Sequence, residues 1–255
     1  MLKIRIIPIM LWNGIVLVKG QNFKNNRRAT GSPITTIQIY NSRDVDEIIF
    51  FDISENEKKE KNFDFIRSIT DCTSVPLTLG GNIKTVDQMS QLFENGADKI
   101  SINSALYDNP KLINYASKKF GSQAISVSID VKKNFNEYVC YYKNGTKKSD
   151  KNFKNWVIEC VDRGAGELII NSIDHDGLMQ GYDNNLISTV TSLVDVPVIA
   201  SGGAGNYDHF YEAYKSGASG LAAASIFHFT EVTPNKIKNF LFKKNVPIRE
   251  NFFKN

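Results

Sequence analysis

The sequence predicts an eightfold (β/α) barrel, an α/β TIM barrel with a half-barrel internal repeat, and three observations carry that prediction. Short apolar runs alternate with amphipathic segments along all 255 residues. The runs are continuous rather than polar/apolar alternating, as in parallel strands buried on both faces. Short motifs also recur at a displacement of 121 residues, about half of the ~250 residues typical of this barrel.

The repeat consists of short motifs that match between the two halves. Each first-half motif and its counterpart are Val75-Pro76 and Val196-Pro197, Gly80-Gly81 and Ser201-Gly202, Gly96-Ala97 and Gly217-Ala218, Ser104 and Ser225. Two copies of a four-unit half, at about 32 residues per βα unit, give eight units. An open doubly wound sheet would explain the alternation but not the half-length repeat.

The predicted strands are the apolar runs Ile4–Ile9, Ile48–Ile53, Leu77–Leu79, Lys99–Ile102, Ile125–Asp130, Leu168–Asn171, Val198–Ala200 and Gly220–Ala223. Between them, Thr85 with Gln88 predicts a capping box at a helix start. Asn109 followed by Pro110 predicts an N-cap and a first helical position. Polar Lys19–Thr30 predicts a mobile loop. Tyr138–Tyr142 before Asn144-Gly145 predicts a strand entering a hairpin turn, a small insertion after the fifth strand.

Composition narrows the class of protein. Apolar residues make up 42% and charged residues 23%, and no composition shift marks a boundary, so we expect one domain over residues 1–255. No apolar run is long enough to span a membrane and the N-terminus lacks a signal peptide. Three separated cysteines argue against disulfides and zinc, and fit a cytoplasmic protein. The net charge of +4 comes without a nucleic-acid motif, so we expect no nucleic-acid partner. We also expect no metal, no cofactor and no membrane partner.

The functional face of such a barrel lies at the C-terminal ends of its strands. Glycine lets the backbone approach an anion closely. The duplicated pairs Gly81 with Ser104 and Gly202 with Ser225 therefore suggest two phosphate sites on opposite sides, although a single Gly-Gly pair alone would favour tight turns only. Strand-end and loop residues at this face are Asn103, Asp130, Asn171, Asp176, Ser201, Gly203 and Ala224.

Two carboxylates stand out at this face. Asp130 ends an apolar run, and burying a carboxylate there indicates either acid/base chemistry or an ion pair with Lys132 or a loop cation. Asp176 lies in the sixth loop, where it could also be a helix cap or a turn residue. At the opposite end, strand starts carry Arg5, Glu47, Lys99 and Glu167. These four could form a ring that acts as a gate or as a structural salt-bridge plug.

The chain resembles the cyclase subunit of imidazole glycerol phosphate synthase over nearly its whole length. The motifs that carry the resemblance are Arg5-Ile6-Ile7, Val18-Lys19-Gly20, Gly96-Ala97-Asp98-Lys99, Ser101-Ile102-Asn103, Phe120-Gly121-Ser122-Gln123-Ala124, Arg163-Gly164-Ala165-Gly166-Glu167, Ser172-Ile173-Asp174, Asp176-Gly177, Gly181-Tyr182-Asp183, Ala200-Ser201-Gly202-Gly203-Ala204-Gly205 and Ser225-Ile226-Phe227-His228-Phe229. The resemblance implies a barrel that binds a two-phosphate substrate, with Lys19 among the substrate-binding residues. It also implies a glutaminase subunit on the N-terminal face.

The resemblance assigns roles to both ends of the barrel. Ammonia would pass a gate formed by Arg5, Glu47, Lys99 and Glu167, while Asp98 and Gln123 would face the glutaminase. Of the two catalytic aspartates of the family, one matches Asp130. The other matches Leu11, which cannot carry a proton. Asn82 stands where the family has a third glycine of the first phosphate loop, and Asn171 stands where it has threonine.

Three hypotheses follow. In the first, the chain channels ammonia from its glutaminase to a sugar acceptor in surface-glycan biosynthesis, together with a separate sugar amidotransferase. This role is expected of divergent family members, and loss of the family aspartate at position 11 together with retention of the gate is consistent with it. In the second, it is a working cyclase of histidine biosynthesis, which converts the two-phosphate ribulosyl substrate and ammonia to imidazole glycerol phosphate and an aminoimidazole carboxamide ribotide. In the third, it is a scaffold that only activates the glutaminase.

Overall fold

The computed structural model describes residues 3–29, 31–54 and 62–249. The strands are, in chain order, β1 (Arg5–Trp12), β2 (Leu17–Gln21), β3 (Lys24–Arg28), β4 (Ile48–Asp52), β5 (Leu77–Gly80), β6 (Lys99–Ile102), β7 (Ile125–Asn134), β8 (Glu137–Tyr142), β9 (Lys147–Asn152), β10 (Glu167–Ser172), β11 (Val198–Ser201) and β12 (Gly220–Ala223). The helices are α1 (Pro33–Ser42), α2 (Phe63–Asp71), α3 (Val86–Glu94), α4 (Ala105–Asp108), α5 (Lys111–Phe120), α6 (Phe153–Asp162), α7 (Asn184–Thr191), α8 (Tyr207–Lys215), α9 (Ser225–Phe229) and α10 (Pro234–Lys243).

Eight of these strands form a closed parallel barrel in the order β1-β4-β5-β6-β7-β10-β11-β12. The barrel closes where β12 pairs with β1, with Gly220 opposite Arg5. This closure confirms the predicted (β/α)8 barrel and excludes the open doubly wound sheet. Because all eight strands are parallel, their carboxyl ends and the loops that follow them share one face.

Two hairpins extend the barrel at that face. Strands β2 and β3 pair antiparallel after β1, with Val18 opposite Arg28. The loop prediction for Lys19–Thr30 was therefore wrong, because residues up to Arg28 pair in a hairpin; Thr30 lies outside the described residues. Strand β7 runs on into a second antiparallel hairpin with β8 and β9, whose turn places Lys143 and Asn144 at positive φ.

The helix starts follow the sequence in one case and not in another. Thr85 and Gln88 form the predicted capping box of α3. The prediction of Asn109 as an N-cap with Pro110 at the first helical position was wrong: Asn109 is the C-cap of α4, Pro110 is the N-cap of α5, and α5 begins at Lys111. Pro110 makes no side-chain cap hydrogen bond there.

The apolar side chains divide into two clusters that follow the two faces of the strands. The larger one packs between the outer face of the barrel and the helices, and includes Ile6, Met10 and Trp156. The smaller one fills part of the barrel interior, with Ile7 and Ile49 among its members. Burial of both faces is the physical reason for the continuous apolar runs in the sequence.

The last helix is attached to the first strands through a buried ammonium. Lys238 of α10 is fully buried, and its Nζ lies 2.7 Å from Asp46 Oδ1 and 3.3 Å from Asp44 Oδ2. Asp46 Oδ2 also accepts a hydrogen bond from the Ile6 N–H at 2.8 Å. The pairing therefore links α10 with β1 and with the start of β4.

We expect Lys238→Met to lower the free energy of unfolding by about 3–5 kcal/mol, because it leaves buried carboxylates without their cation. Urea denaturation at neutral pH measures the change. Lys243→Met, on the exposed side of the same helix, is the control, and we expect a change within about 0.5 kcal/mol. Equal stability of the two variants would show that the buried pair contributes nothing to barrel closure.

Candidate active site

The N-terminal end of the barrel interior is closed by the four predicted charged residues. Arg5 lies 2.7 Å from Glu47 and 2.5 Å from Glu167. Lys99 lies 3.1 Å from Glu47 and 3.3 Å from Glu167. We call these four residues the charged ring. Its two cations and two carboxylates balance, and each cation contacts both anions.

Two hydroxyls that the sequence did not single out support the ring. Thr78 donates a hydrogen bond to Glu47 Oε1 at 2.7 Å, and Ser126 donates one to Glu167 Oε1 at 3.0 Å. Both carboxylates are buried, so these bonds satisfy oxygens that solvent does not reach. The structure thus brings the four predicted residues together, while their role as a gate stays a prediction.

Asp130 lies at the other end of the interior, on β7. Its carboxylate is 5% exposed and accepts two hydrogen bonds, from Asn103 Nδ2 at 2.7 Å and from Asn171 Nδ2 at 2.8 Å. Neither alternative ion pair forms among the described residues: the partners of Asp130 are the two amides, and the Lys132 ammonium lies 4.8 Å from the centre of the Tyr141 ring. The interpretation as an acid/base group is therefore the one that the geometry favours.

The environment of Asp130 shifts its proton affinity toward neutrality. Burial raises the pKa of the carboxyl to about 6, since desolvation disfavours the charged form. The hydrogen bonds from Asn171 and Asn103 oppose that rise, and the negative charge of Asp176 adds to it. A carboxyl group with this pKa exists in both protonation states close to neutral pH, as acid/base catalysis requires.

The raised pKa of Asp130 also predicts how stability depends on pH. The folded protein binds the proton more tightly than the unfolded chain, so Asp130 stabilises the fold at low pH and this contribution is lost as the pH rises through about 6. Asp130→Asn removes that dependence. We expect the variant to gain about 2–3 kcal/mol relative to wild type between pH 4 and pH 8. Urea unfolding of both proteins across this range is the measurement, and parallel stability profiles would contradict the shifted pKa.

A pocket opens at the C-terminal face; Asp130 is not among its lining residues, but Asn171, which donates a hydrogen bond to Asp130, is. The predicted site residues that line it are Leu11, Lys19, Asn171, Asp176, Ser201, Gly202, Gly203, Ala224 and Ser225. Gly202 and Gly203 both have positive φ, and a Cβ on Gly203 would lie 2.0 Å from the carbonyl oxygen of Gly181. Tight turns therefore require these glycines, whatever the pocket binds.

The predicted first phosphate site is built differently. Gly81, Asn82, Asn103 and Ser104 are not among the residues that line the pocket. Asn82 also has a positive φ, and its side-chain amide donates to the Ser54 carbonyl at 3.0 Å. The Ser104 hydroxyl accepts a hydrogen bond from the Lys143 N–H at 2.9 Å, which joins this site to the β8–β9 turn. The structure therefore gives the two halves of the repeat different surroundings.

Lys19 and Asp176 form an ion pair across the mouth of the pocket. Lys19 Nζ lies 2.7 Å from Asp176 Oδ1 and 2.6 Å from Oδ2. The neighbouring Asn22 side chain donates to the carbonyls of Ile173 and Asp174. Asp176 is therefore a turn residue, one of the two structural alternatives given by the sequence. Its ion pair with Lys19 of β2 also holds the β2–β3 hairpin against the sixth loop.

Leu11 packs against hydrocarbon. It contacts the interior apolar cluster, together with Phe51. Among the residues that the structure describes, Asp176 is the one carboxylate that lines the pocket, and Lys19 already pairs with it. Within the described part of the chain, no unpaired acidic side chain lining the pocket replaces the aspartate that the family resemblance places at Leu11.

Two predicted interface residues lie at the N-terminal end. Asp98 precedes β6, and its Oδ2 accepts a hydrogen bond from the Leu77 N–H at 2.8 Å. Gln123 is exposed in a 3-10 turn at Ser122–Ala124, just before β7. Their contact with a glutaminase stays a prediction.

Sequence reasoning missed the hydroxyl groups inside the barrel. Ser126, Ser128 and Asp130 alternate with apolar residues along β7, and alternation places all three on one face. Ser128 accepts a hydrogen bond from Asn171 Nδ2 at 3.1 Å. The description of every strand as continuously apolar was therefore wrong for β7, and the period-two pattern was the signal that could have shown it.

Within the described part of the chain, no helix is long and apolar enough to cross a membrane. No cluster of three or more His, Cys, Asp or Glu side chains there could hold a metal ion.

Comparison with known proteins gives one consistent result. The sequence model of a family described as histidine biosynthesis protein matches residues 5–233. The chain is 43% identical, over 251 residues, to a protein of Natranaerobius thermophilus named imidazole glycerol phosphate synthase subunit HisF, covering 98% of this chain and 100% of that protein. Proteins of the same name from Flavobacterium johnsoniae and a Thermotoga species are 40% and 39% identical, with 98% of this chain covered in each case and 100% and 98% of those proteins.

Proposed function

The chain belongs to the HisF family of histidine biosynthesis proteins, and from that premise we propose that it is the ammonia-accepting barrel subunit of an imidazole glycerol phosphate synthase. The acceptor is then the two-phosphate ribulosyl substrate, and ring closure takes place at the C-terminal face. The names of the relatives favour this hypothesis over amidation of a sugar, because the similar proteins described above are all named as synthase subunits.

The observation that carries the proposal is the buried Asp130 carboxylate, which accepts a hydrogen bond from Asn171, a residue that lines the pocket. Its ionised form accepts a proton from the nitrogen that attacks the substrate, and its protonated form returns a proton to an oxygen that leaves. A pKa of about 6 lets one group serve in both states. Asn103 and Asn171 hold both carboxylate oxygens, so the group is fixed in orientation before substrate arrives.

A glutaminase on the N-terminal face is the proposed source of ammonia. The charged ring closes that end of the interior, and Asp98 and Gln123 lie around it. The ring balances its own charge, so it holds no net charge that would retain ammonium ions.

The phosphate groups of the substrate would bind at the duplicated glycine and serine positions. Gly202, Gly203 and Ser225 line the pocket and offer backbone N–H groups and a hydroxyl to an anion. Gly81, Asn82 and Ser104 would hold the second phosphate, next to the β8–β9 turn.

A direct assay tests the proposal. The purified chain is supplied with the two-phosphate substrate and an ammonium salt at mildly alkaline pH, and then with a glutaminase partner and glutamine. We expect imidazole glycerol phosphate in both cases. No product from either nitrogen source would reject the cyclase role.

One observation supports a second candidate function. Leu11 leaves the pocket without the second carboxylate of the family, which favours delivery of ammonia to a sugar acceptor handled by a separate amidotransferase. Glutamine hydrolysis that is stimulated by the chain, with ammonia transferred to a sugar and no imidazole product, would support this candidate. If the chain stimulates glutamine hydrolysis, the Lys99→Ala variant stimulates it equally, and no ammonia is transferred to any acceptor, the chain would be a scaffold that only activates the glutaminase.

A further inference from the structure

The first phosphate site contains no cation among its own predicted residues. All of these residues are uncharged: Gly81, Asn82, Asn103 and Ser104. Asn103 also donates a hydrogen bond to the Asp130 carboxylate, so the site lies close to a negative charge. A phosphate monoester carries a charge of about −1.5 to −2 at neutral pH. A phosphate at this site therefore needs a cation from another element, whereas the second site has Lys19 in its pocket.

The β8–β9 turn brings a lysine to this site. The Lys143 N–H donates a hydrogen bond to the Ser104 hydroxyl at 2.9 Å, so the backbone of the turn lies against the site. The Lys143 side chain is exposed. Among the described residues, its ammonium has no ion pair, hydrogen bond or ring contact. The turn thus places an unpaired positive charge next to Ser104.

A stacked pair of tyrosines holds the turn in place. Tyr142 precedes Lys143, and Tyr107 belongs to α4, which begins directly after Ser104. The centroids of the two rings are 4.6 Å apart, with an angle of 19° between the ring planes. Tyr107 also packs against Trp156 of α6, at 5.2 Å between centroids. These contacts fix the backbone of residue 143 relative to Ser104 and leave its side chain unrestrained.

The same turn also adjoins the pocket. A Cβ on Gly145 would lie 3.1 Å from Phe23 Cδ2 and 3.2 Å from Ile173 Cδ1. Phe23 lines the pocket that contains the second phosphate site. The turn therefore borders both the pocket and the first phosphate site, as expected of an element that contacts one end of an elongated two-phosphate substrate.

The Ser104 hydroxyl is available to an anion. It accepts the hydrogen bond from Lys143, and within the described part of the chain no acceptor takes its own proton. It also makes no cap hydrogen bond to α4. A phosphate oxygen at this position would accept the hydroxyl proton and a charge-assisted hydrogen bond from the ammonium. Lysine suits this role because its charge is carried on a flexible four-carbon stem.

Two other lysines of the hairpin extension already have partners. The Lys132 ammonium lies 4.8 Å from the centre of the Tyr141 ring, and the Lys151 ammonium lies 3.0 Å from Glu159 Oε2. Lys143 differs from both, because its backbone contacts the site and its ammonium is unpaired among the described residues.

We propose that Lys143 is the cationic residue of the first phosphate site, where its ammonium binds one phosphate of the substrate together with the Ser104 hydroxyl. The proposal rests on the proposed function, since it takes the two-phosphate ribulosyl compound as the substrate. Lys143 is a substrate-binding residue in this account and takes no part in proton transfer at Asp130.

The matched pair Lys143→Met and Lys143→Arg tests this role. Both variants keep a long unbranched side chain at the turn, and only arginine keeps the charge. In the assay with ammonium salt, we expect Lys143→Met to raise KM for the two-phosphate substrate about 10-fold, near the lower limit for a hydrogen bond to a charged group. We expect kcat to change less than about twofold, because binding is lost equally in the ground state and the transition state. Lys143→Arg should keep a KM close to that of wild type.

Lys154→Met is the control for long-range attraction. Lys154 is exposed in the first turn of α6, after β9, and its loss changes the net charge of the protein by the same amount. We expect this variant to keep the wild-type KM. An equal rise in KM for Lys154→Met would overturn the proposal, since the effect would then belong to the general field of the protein. Equal KM values for Lys143→Met and Lys143→Arg would also overturn it.

A second measurement separates this proposal from the proposed function. Crystals of wild type and of both Lys143 variants are soaked in inorganic phosphate. We expect phosphate density within hydrogen-bond distance of Ser104 Oγ in wild type and Lys143→Arg, and none in Lys143→Met. Phosphate at Ser225, in the second site, should appear in all three crystals and is the internal control.

The crystals remain decisive whatever the enzyme assay shows. If wild type forms no imidazole product from any nitrogen source, the proposed function fails, and the density at Ser104 still decides whether Lys143 binds phosphate. Wild-type crystals with phosphate at Ser225 and none at Ser104 would reject the role of Lys143. Equal density at Ser104 in wild type and Lys143→Met would reject it as well.

Discussion

Replacing Asp130 by asparagine is expected to lower ammonia-dependent turnover about 10²- to 10⁴-fold, the usual contribution of one positioned acid/base group. Asparagine keeps the size of the side chain but cannot exchange a proton. Leu11 supplies no second carboxylate for proton transfer. The one carboxylate in the described pocket lining, that of Asp176, is already paired with Lys19. Steady-state kinetics with saturating substrate and ammonium salt measure the loss in kcat.

The pH profile adds a second criterion. Wild-type kcat/KM should change with an apparent pKa near 6, that of Asp130, and the profile of the variant should lose this inflection. Asp150→Asn, on the exposed β9 strand of the same hairpin, is the matched control and should keep both rate and profile. A modest loss, within about threefold, would mean that Asp130 contributes less than a positioned acid/base group does.

Replacing Leu11 by aspartate is expected to raise the cyclase rate about 10²-fold or more, since it restores a second proton-transfer group at the pocket. Leu11 lines the pocket and packs against the interior apolar cluster. These apolar neighbours would raise the pKa of the new carboxyl toward neutrality, which suits it to accept and donate protons. The measurement is ammonia-dependent turnover of the two-phosphate substrate.

Leu11→Asn is the control for this gain. It has the size and polarity of the aspartate but no titratable proton, and we expect the rate of wild type. An equal gain with asparagine would attribute the effect to polarity or hydration of the pocket. No gain with aspartate would show that the chain has lost more of the cyclase chemistry than one carboxylate, and would favour the sugar acceptor.

The contrast between Asp130 and Leu11 shows why one substitution alone does not settle the acceptor. The charged ring and Asp130 are complete, whereas the place of the second carboxylate is hydrocarbon. In the proposed function, ammonia delivery would depend on the interior between them, and ring closure would depend on proton transfer near the pocket. The two predictions test the second requirement, because each changes one proton-transfer position and leaves the charged ring unchanged.

Local patterns in the sequence were enough to predict the barrel, the Thr85 capping box and the residues of the charged ring. Parallel strands buried on both faces are mostly apolar, and a duplicated half keeps its spacing, so both features can be recognised from residue order alone. The pairing of β2 with β3 was not predictable in this way, since its polar residues are fixed by contacts with the sixth loop, as Lys19 is by Asp176.

The sequence by itself determined the fold, the family and the identity of the chemical groups, because periodicity, repeats and motifs depend on residue order alone. Only the tertiary structure decided which groups meet: that Asn103 and Asn171 hold Asp130, and that burial moves its pKa to about 6. Hydrogen bonds and desolvation depend on distances between residues far apart in the chain, and those distances exist only once the barrel closes.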